Sequence, residues 1–490
     1  MSLISVNNLT FGYDGSLKNI FENVSFNIDT DWKLGLIGRN GKGKTTFLKL
    51  LLGKYEYQGA ISKNVEFDYF PFEVKNKERM AIEIVNEIAP NVEDWEIIRE
   101  LNLLNTDTEV LYRSFNLLSG GEQIKILLIS LFLKGNNFLL IDEPTNHLDI
   151  ETRNNLVNYL EKKKGFILVS HDRNFLNHII SINNTNIEIQ QGNFSSWKEN
   201  KNRQDNFEKI QNERLQKDIN RLEIASKNCA KWSNEAEKTK NKKYNSETTI
   251  DKGYIGHKAD KMMKKSKVME QRIEKAINEK TNLLKNIEVN DTLKIIPLKS
   301  NKNPLIFAHN LQIKYSKETI FNPITFEVNN GDRVALIGKN GIGKSSILKL
   351  ILGEELQYNG EFMVANDLKI SYVSQSTEDL KGNLRTFAYD NKINESIFKA
   401  MLVKMGLSQF DFDTNIQDMS EGQKKKVLIA KSISEQANIY IWDEPLNYID
   451  ILTREQIEDA ILNYNPTIIF VEHDEKFIEK VATKIINLVK

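Results

Sequence analysis

One stretch whose residue types could do chemistry occurs twice. Gly38-Arg39-Asn40-Gly41-Lys42-Gly43-Lys44-Thr45 and Gly338-Lys339-Asn340-Gly341-Ile342-Gly343-Lys344-Ser345 each place a glycine, four residues, then Gly-Lys-Ser/Thr. Each follows a short apolar run, Leu34 to Ile37 or Val334 to Ile337, and precedes a helical pattern beginning Phe47-Leu48 or Ile347-Leu348. A strand, a glycine-rich loop and a helix in that order make a phosphate cradle. The glycines let backbone N–H groups converge on phosphate oxygens, and the helix start adds partial positive charge. Lys44 or Lys344 would reach the outer phosphates, and the Thr45 or Ser345 hydroxyl would ligate Mg²⁺. Gly38, Asn40, Gly41, Gly43 and Thr46, with Gly338, Asn340, Gly341, Gly343 and Ser346, complete two candidate nucleotide loops. Two full matches in matching contexts leave little room for a bare glycine-rich turn.

At 490 residues the chain has room for two or three domains, and its 40% hydrophobic content suffices for packed cores. Lys plus Arg and Asp plus Glu are both 67, so net charge points to no class of partner and only its distribution is informative. The single cysteine, Cys229, argues for a reducing compartment and excludes a disulfide framework, an iron–sulfur cluster or a four-Cys zinc site. Met1 to Thr10 reads as a polar-interrupted strand rather than a secretory signal. The longest apolar run, Ile126 to Leu133, falls far short of the roughly 18 to 20 residues that span a bilayer. The expectation is a soluble, cytoplasmic protein with no membrane part of its own.

The elements that position these loops also recur. Ser119-Gly120-Gly121-Glu122-Gln123 returns as Ser420-Glu421-Gly422-Gln423, Leu140-Ile141-Asp142-Glu143-Pro144 as Ile441-Trp442-Asp443-Glu444-Pro445, and Ser170-His171-Asp172 as Glu472-His473-Asp474. The offsets are 300 at the loops, 301 at the next two pairs and 302 at the histidines, so one domain is repeated in tandem. This order of motifs resembles the ATP-binding cassette family, and the resemblance covers both halves. It implies an α/β fold with two tandem P-loop cassettes that pair within one chain, most simply a monomer, and sandwich two ATPs. Each loop would then face the Ser-Gly-Gly signature of the opposite half, so that Ser119, Gly120 and Gly121 complete the Lys344 site and Ser420 and Gly422 the Lys44 site. The chemistry agrees, since a Ser hydroxyl and glycine N–H groups at a helix start form an anion site needing a phosphate from elsewhere.

By the same resemblance Asp142 and Asp443 hold Mg²⁺ with Thr45 and Ser345, Gln375 senses the metal and water, and Glu143 and Glu444 polarise the attacking water. His171 and His473 contact the γ-phosphate, and Tyr13 and Tyr315 stack on adenine. The halves depart from the pattern unequally. Phe72 falls where Gln375 does, Glu421 replaces a signature glycine, and Leu446-Asn447-Tyr448-Ile449-Asp450 stands for Thr145-Asn146-His147-Leu148-Asp149. Two unequal ATP sites are expected. The distances from Phe72 to Ser119 and from Gln375 to Ser420 leave no room for the extra helical arm of some relatives.

Between the repeats, no Gly or Pro occurs from Asn193 to Lys252 or from His257 to Ile296. Apolar or small residues step by three and four along Leu215, Ile219, Leu222, Ser226, Cys229, Trp232 and Ala236, and again along Ala259, Met262, Ser266, Met269, Ile273 and Ala276. This is the seam of a long antiparallel helical hairpin. Its first helix is expected from about Asn202 to Thr239 and its turn between about Lys240 and Gly256. The domains are accordingly 1–198, a linker at 199–292 with its tip near 240–257, and 303–490. Lys198 to Glu288 holds 23 basic and 15 acidic residues. Basic helix ends with aromatic tips suit RNA, which makes Lys240, Lys242, Lys243, Tyr244, Tyr254, His257 and Lys258 candidate contacts, against the alternative of a solvated tether.

Paired cassettes with a long charged linker resemble the ABC-F translation factors, and the Asp443 to Asp450 run and the Gly253-Tyr254-Ile255-Gly256 tip resemble their antibiotic-resistance branch, the Lsa-type group in particular. That resemblance implies an ATPase that binds the bacterial 70S ribosome at the tRNA exit site in its ATP state. It would reach rRNA near the peptidyl-transferase centre, displace P-site tRNA and dislodge lincosamides, streptogramin A compounds and pleuromutilins. The alternatives are a housekeeping ABC-F factor without a drug role, the ATPase subunit of a drug exporter, and a DNA-structure-binding ATPase.

Overall fold

The computed structural model describes residues 3–14, 19–135, 137–145, 148–170, 178–183, 186–192, 194–240, 261, 264–265, 267–269, 271–277, 292–315 and 318–490. The chain divides into two compact units, Met1–Phe194 with Asn290–Lys490, and Ser195–Val289. The first unit holds both copies of the repeat.

In the second copy a parallel sheet runs, in spatial order, Ile370–Val373, Ile439–Asp443, Ile468–Val471, Arg333–Ile337 and Lys484–Asn487. Successive side chains leave a strand on opposite faces. Ile439, Ile441, Ile469, Val471, Val334 and Leu336 enter one core, while Tyr440, Trp442, Ile468, Phe470 and Ala335 enter the other. A strand covered on both faces must be apolar at every step, which is why these segments read as unbroken runs. The first copy has the same parallel order, Glu66–Phe70, Asn137–Asp142, Phe166–Val169, Lys33–Ile37 and His178–Asn183, and adds Asn186–Gln191 antiparallel at its edge.

Register sets the site. Asp142 pairs with Val169, whose other neighbour is Leu36, and Asp443 pairs with Val471, whose other neighbour is Leu336. Both acids therefore stand at the sheet edge from which the glycine loops leave, the carboxyl edge where open α/β sheets bind ligands. The helices Lys44–Leu51 and Lys344–Ile351 start there. Phe47, Leu48, Leu50 and Leu51 anchor the first of them in a core shared with the antiparallel sheet Phe21–Asp29, Leu3–Phe11 and Gln58–Ser62. Ile347, Leu348, Leu350 and Ile351 do the same in the second copy.

The linker's first helix is Phe194–Lys240, 47 residues long, or about 70 Å at 1.5 Å per residue. It begins at Phe194 rather than near Asn202 because Phe194 and Trp197 are both buried, an apolar anchor ahead of the periodic seam. Leu215, Ile219, Leu222 and Ser226 are buried or half-buried, as are Ile273 and Ala276 in the helical residues 271–277. Met269 departs from the expected seam, standing 56% exposed beside Val268 at 50%, so a step of three does not by itself set a side chain against a partner. Lys240 ends the long helix. Lys242, Lys243, Tyr244, Tyr254, His257 and Lys258 lie outside the described residues.

Gly43 and Gly343 cap the two loop helices at φ 92° and 101°, a left-handed conformation that costs other residues about 1–3 kcal/mol. A Cβ at Gly43 would lie 2.5 Å from Ile20 Cγ2 and 3.1 Å from Phe21, whereas at Gly343 the nearest atoms, on Ile320 and Phe321, are 3.2 and 3.3 Å away. Both Gly→Ala changes should lower Tm, and Gly43→Ala should lower it further. Equal melting of the two variants would contradict this ordering.

Candidate nucleotide sites

Both loops present the same local chemistry. Lys44 Nζ donates to Gly38 O at 2.8 Å and Asn40 Oδ1 at 3.2 Å, and Lys344 Nζ to Gly338 O at 2.8 Å, Lys339 O at 3.1 Å and Asn340 Oδ1 at 3.5 Å. Burial pulls both ammonium pKa values below the ordinary one, against acids that raise them, Asp450 and Glu143 at Lys44 and Glu444 and Asp149 at Lys344. The loop glycines Gly41 and Gly341, both at φ 79°, have open space where a Cβ would be.

At the first loop, Thr45 Oγ1 donates to Asp142 Oδ2 at 2.8 Å and Tyr69 OH donates to the same oxygen at 3.0 Å. Burial pushes the Asp142 pKa up, opposed by the Thr45 hydrogen bond. Tyr13 reaches Thr46 Oγ1 at 2.8 Å and packs edge-on against Phe11 and Tyr55, with 45% of its surface exposed. Glu143 adopts φ 51°, and its N–H donates to Val169 O at 2.9 Å. His171 lies outside the described residues. Of Tyr315 only the backbone is described, ending the strand Ile306–Tyr315.

At the second loop, burial likewise raises the Asp443 pKa, opposed by a hydrogen bond from Ser345. Asp443 Oδ1 is buried with no hydrogen-bond partner, an orphaned anionic acceptor at a place suited to a hard cation. Next to it Glu444 accepts on Oε2 from Gln375 Nε2 at 3.0 Å and Asn447 Nδ2 at 2.7 Å, while His473 Nε2 lies 3.5 Å from Oε1. Burial alone would raise the Glu444 pKa, but His473 first, then Gln375 and the Lys344 ammonium, overcome it and hold the carboxyl at about 2. Gln375 is thus engaged with the glutamate. Gly341, Lys344, Ser345, Ser346, Gln375 and Glu444 line an open cleft of about 430 Å³.

The halves meet loop to signature. Ser119 and Ser420 each cap a 14-residue helix, Gly120–Leu133 and Glu421–Ser434, in a capping box with Glu122 or Gln423. Asn40 Nδ2 donates to Tyr448 O at 2.5 Å, and a Cβ on Gly422 would collide with Asn40 and come within 2.6 Å of Tyr448 O. Only glycine admits so close an approach. Among the described residues a Cβ at Gly121 would instead meet Thr152 and Leu148 of its own half, at 3.5 and 3.6 Å, and one at Gly120 would meet nothing within 4 Å. The matching acids cross over in both directions. Asn40 N donates to Asp450 Oδ2 at 3.4 Å, the Asn340 backbone N–H bonds Asp149, and Lys339 Nζ lies 3.2 Å from Glu151. Glu421 turns away from a signature role of its own, held by Thr377 Oγ1 at 2.5 Å and Lys424 Nζ at 3.0 Å.

Sequence reading passed over several of these groups. Tyr69 and Asn447 carried no motif of their own. Asp149 and Asp450 were visible only as the ends of two unlike runs; each caps a helix, accepting from the backbone three residues on, at Thr152 or Thr453. Asp450 does more than cap. It is fully buried against Lys426, whose Nζ donates to Asp450 Oδ2 and Met405 O, each at 2.7 Å.

Comparison with known proteins agrees with this geometry. A family model described as ABC transporter matches residues 21–146 and 321–447. The chain is 30% identical to the ATP-binding protein Uup of Buchnera aphidicola (subsp. Acyrthosiphon pisum) over 99% of its own length and 80% of that protein. It is 28% identical to the ribosome protection protein VmlR of Bacillus subtilis over 96% of its length and 84% of that protein. Among solved structures, the archaeal ribosome recycling factor aABCE1, in complex with the stalk protein aP1, superposes with a TM-score of 0.61 over 98% of this chain and 87% of that one, at 18% identity, which bears on fold alone. Among the described residues no helix is long and apolar enough to cross a membrane.

Two outcomes follow from the buried charges. Asp450→Ala leaves Lys426 without its carboxylate and should cost about 3–5 kcal/mol in denaturant unfolding; a loss below 1 kcal/mol would show the pair to be incidental. Glu444 titrates at about 2 in the fold and near 4.5 when unfolded, so its stabilisation is complete above 4.5 and drains as pH falls through about 2. The Tm gap between the native chain and Glu444→Gln should therefore shift as pH falls from 4.5 toward 2.

Proposed function

Because the chain belongs to the ABC transporter family of ATPases, with two cassette domains, we propose that it is an ABC-F ATPase acting on the ribosome. Supported by the similarity to a ribosome protection protein along nearly the whole chain, the reading is that it binds the bacterial 70S ribosome at the tRNA exit site in its ATP state. There its linker displaces P-site tRNA and dislodges lincosamides, streptogramin A compounds and pleuromutilins from the peptidyl-transferase centre. The protein is then cytoplasmic and ribosome-associated. The Lys240 to Lys258 region meets rRNA and tRNA, and the cassettes pair within one chain.

The observation that carries the reading is the loop-to-signature pairing of Asn40 with Tyr448 and Gly422, which makes closure of the two halves dependent on what lies between them. Lys44 and Lys344 neutralise the outer phosphates of ATP, and the glycine N–H groups hold the rest. Tyr13 and Tyr315 cover adenine, and Ser119 and Ser420 reach a γ-phosphate from the far side. Asp142 with Thr45, and Asp443 with Ser345 and Gln375, are the groups that would hold Mg²⁺, which would supply positive charge against the negative charge developing on the phosphates. Glu444, ionised throughout the physiological range, accepts a hydrogen bond from the attacking water and aims it at phosphorus, with His473 beside it; Glu143 and His171 are the counterparts. The linker between the cassettes, led by the helix Phe194–Lys240, converts closure into movement of its far end.

Replacing Glu143 and Glu444 together by Gln should trap the ATP state, so ribosomes pelleted with ATP should retain several-fold more protein than with the native chain. Unchanged retention would refute ribosome action. In cells, resistance to lincomycin, tiamulin and a streptogramin A should appear with the gene and vanish with the double variant, while intracellular drug stays constant. Retention without resistance would instead mark a housekeeping factor, and lowered drug accumulation an exporter subunit.

A further inference from the structure

Three lysines follow the second signature, Lys424, Lys425 and Lys426, where the first copy has Gln123, Ile124 and Lys125. Lys426 has its counterpart in Lys125, and Lys424 pairs near the surface with Glu421. Lys425 is different, because it stands where the other copy has an isoleucine, is 2% exposed, and is nonetheless charged chemistry in a core. Its Nζ donates to Ser374 O at 2.9 Å and to Glu444 O at 3.2 Å. Burial pulls its pKa down, while Glu472, Glu444, Asp443 and Glu421 pull it back. As a filler of space an apolar side chain would cost less than a buried amine; the first copy carries the half-buried Ile124 at this position.

Both carbonyls it holds matter to one carboxylate. Ser374 precedes Gln375, whose amide donates to Glu444 Oε2. Glu444 sits at φ 47°, a conformation that non-glycine residues keep only where their surroundings over-determine it. Its N–H is tied to Val471 O at 3.0 Å, and Lys425 ties its carbonyl, so the strained peptide is gripped on both sides. One turn earlier on the same helix, Glu421 is bonded to Thr377, two residues beyond Gln375, which fastens the same segment a second time.

We propose that Lys425 is a positioning residue for hydrolysis at the Lys344 site, its ammonium pinning the Glu444 backbone and the Gln375 segment in the geometry that aims the glutamate at the attacking water. It acts through Glu444 and touches no nucleotide, so it governs turnover rather than ATP affinity. In the first copy the corresponding position is Ile124, which has no ammonium to offer. This inference rests on the reading that Glu444 drives hydrolysis at the Lys344 site.

The test is steady-state ATP hydrolysis by the full chain carrying Glu143→Gln, which isolates the Lys344 site. Against that parent, Lys425→Met should lower kcat at least about tenfold with KM within about twofold, since misplacing a reacting group by an ångström costs on the order of a hundredfold. Lys425→Arg, which keeps N–H donors, should recover most of the loss. A kcat within twofold of the parent, or a KM that rises as much as kcat falls, would overturn the proposal. If Lys425→Met does not fold, Lys425→Gln, with one amide donor on a shorter stem, replaces it, and a parental kcat again overturns the proposal. Should the Glu143→Gln parent be inactive while a Glu444→Gln chain turns over, the assignment of hydrolysis to Glu444 fails instead.

Discussion

Two adjacent carboxylates at the end of a buried strand are the constraint that shapes the rest of the site. Asp443 and Glu444 leave the sheet edge together, and desolvation opposes the charge on both. Removing a carboxylate from water costs several kcal/mol unless hydrogen bonds and opposite charge replace the hydration. The structure answers differently for each. Glu444 collects Gln375, Asn447 and His473 and stays ionised, whereas Asp443 keeps one oxygen with no donor. Neighbouring acids are thus pushed in opposite directions, which is what the proposed division between orienting water and holding a cation requires.

The same constraint explains why the two copies, alike in topology, differ in their sites. In the first copy Asp142 is satisfied by Thr45 and by Tyr69, and Phe72 stands where the second copy has Gln375. In the second copy Lys425, Asn447 and Gln375 converge on Glu444. The close approach is unequal as well: a Cβ at Gly422 would strike Asn40, whereas among the described residues a Cβ at Gly120 or Gly121 would meet no atom of the opposite half within 4 Å. One fold thus holds two environments for the same nucleotide.

Much of this was legible from the residues in order. The repeat, the glycine loops and the acids at strand ends are local patterns, and burial on both faces left the parallel strands as apolar runs. The start of the long helix was less legible because Phe194 and Trp197 precede the heptad-like seam, and Met269 shows that spacing does not guarantee burial. Tyr69, Asn447, Lys425 and the Lys426–Asp450 pair were not legible, since each acts on a partner that only the folded chain brings near. A lysine run after the signature reads as a solvated face until two of its members prove to be interior.

The glycine at 422 has a bearing on the history of the molecule. Its missing side chain is filled by Asn40, a residue from the other copy of the duplication. After such a duplication, copies that only sat side by side could diverge at their own pace. Here a change in the first phosphate loop is felt at the opposite signature, so the two halves are bound to change in step, and substitutions at positions 40 and 422 should be inherited together.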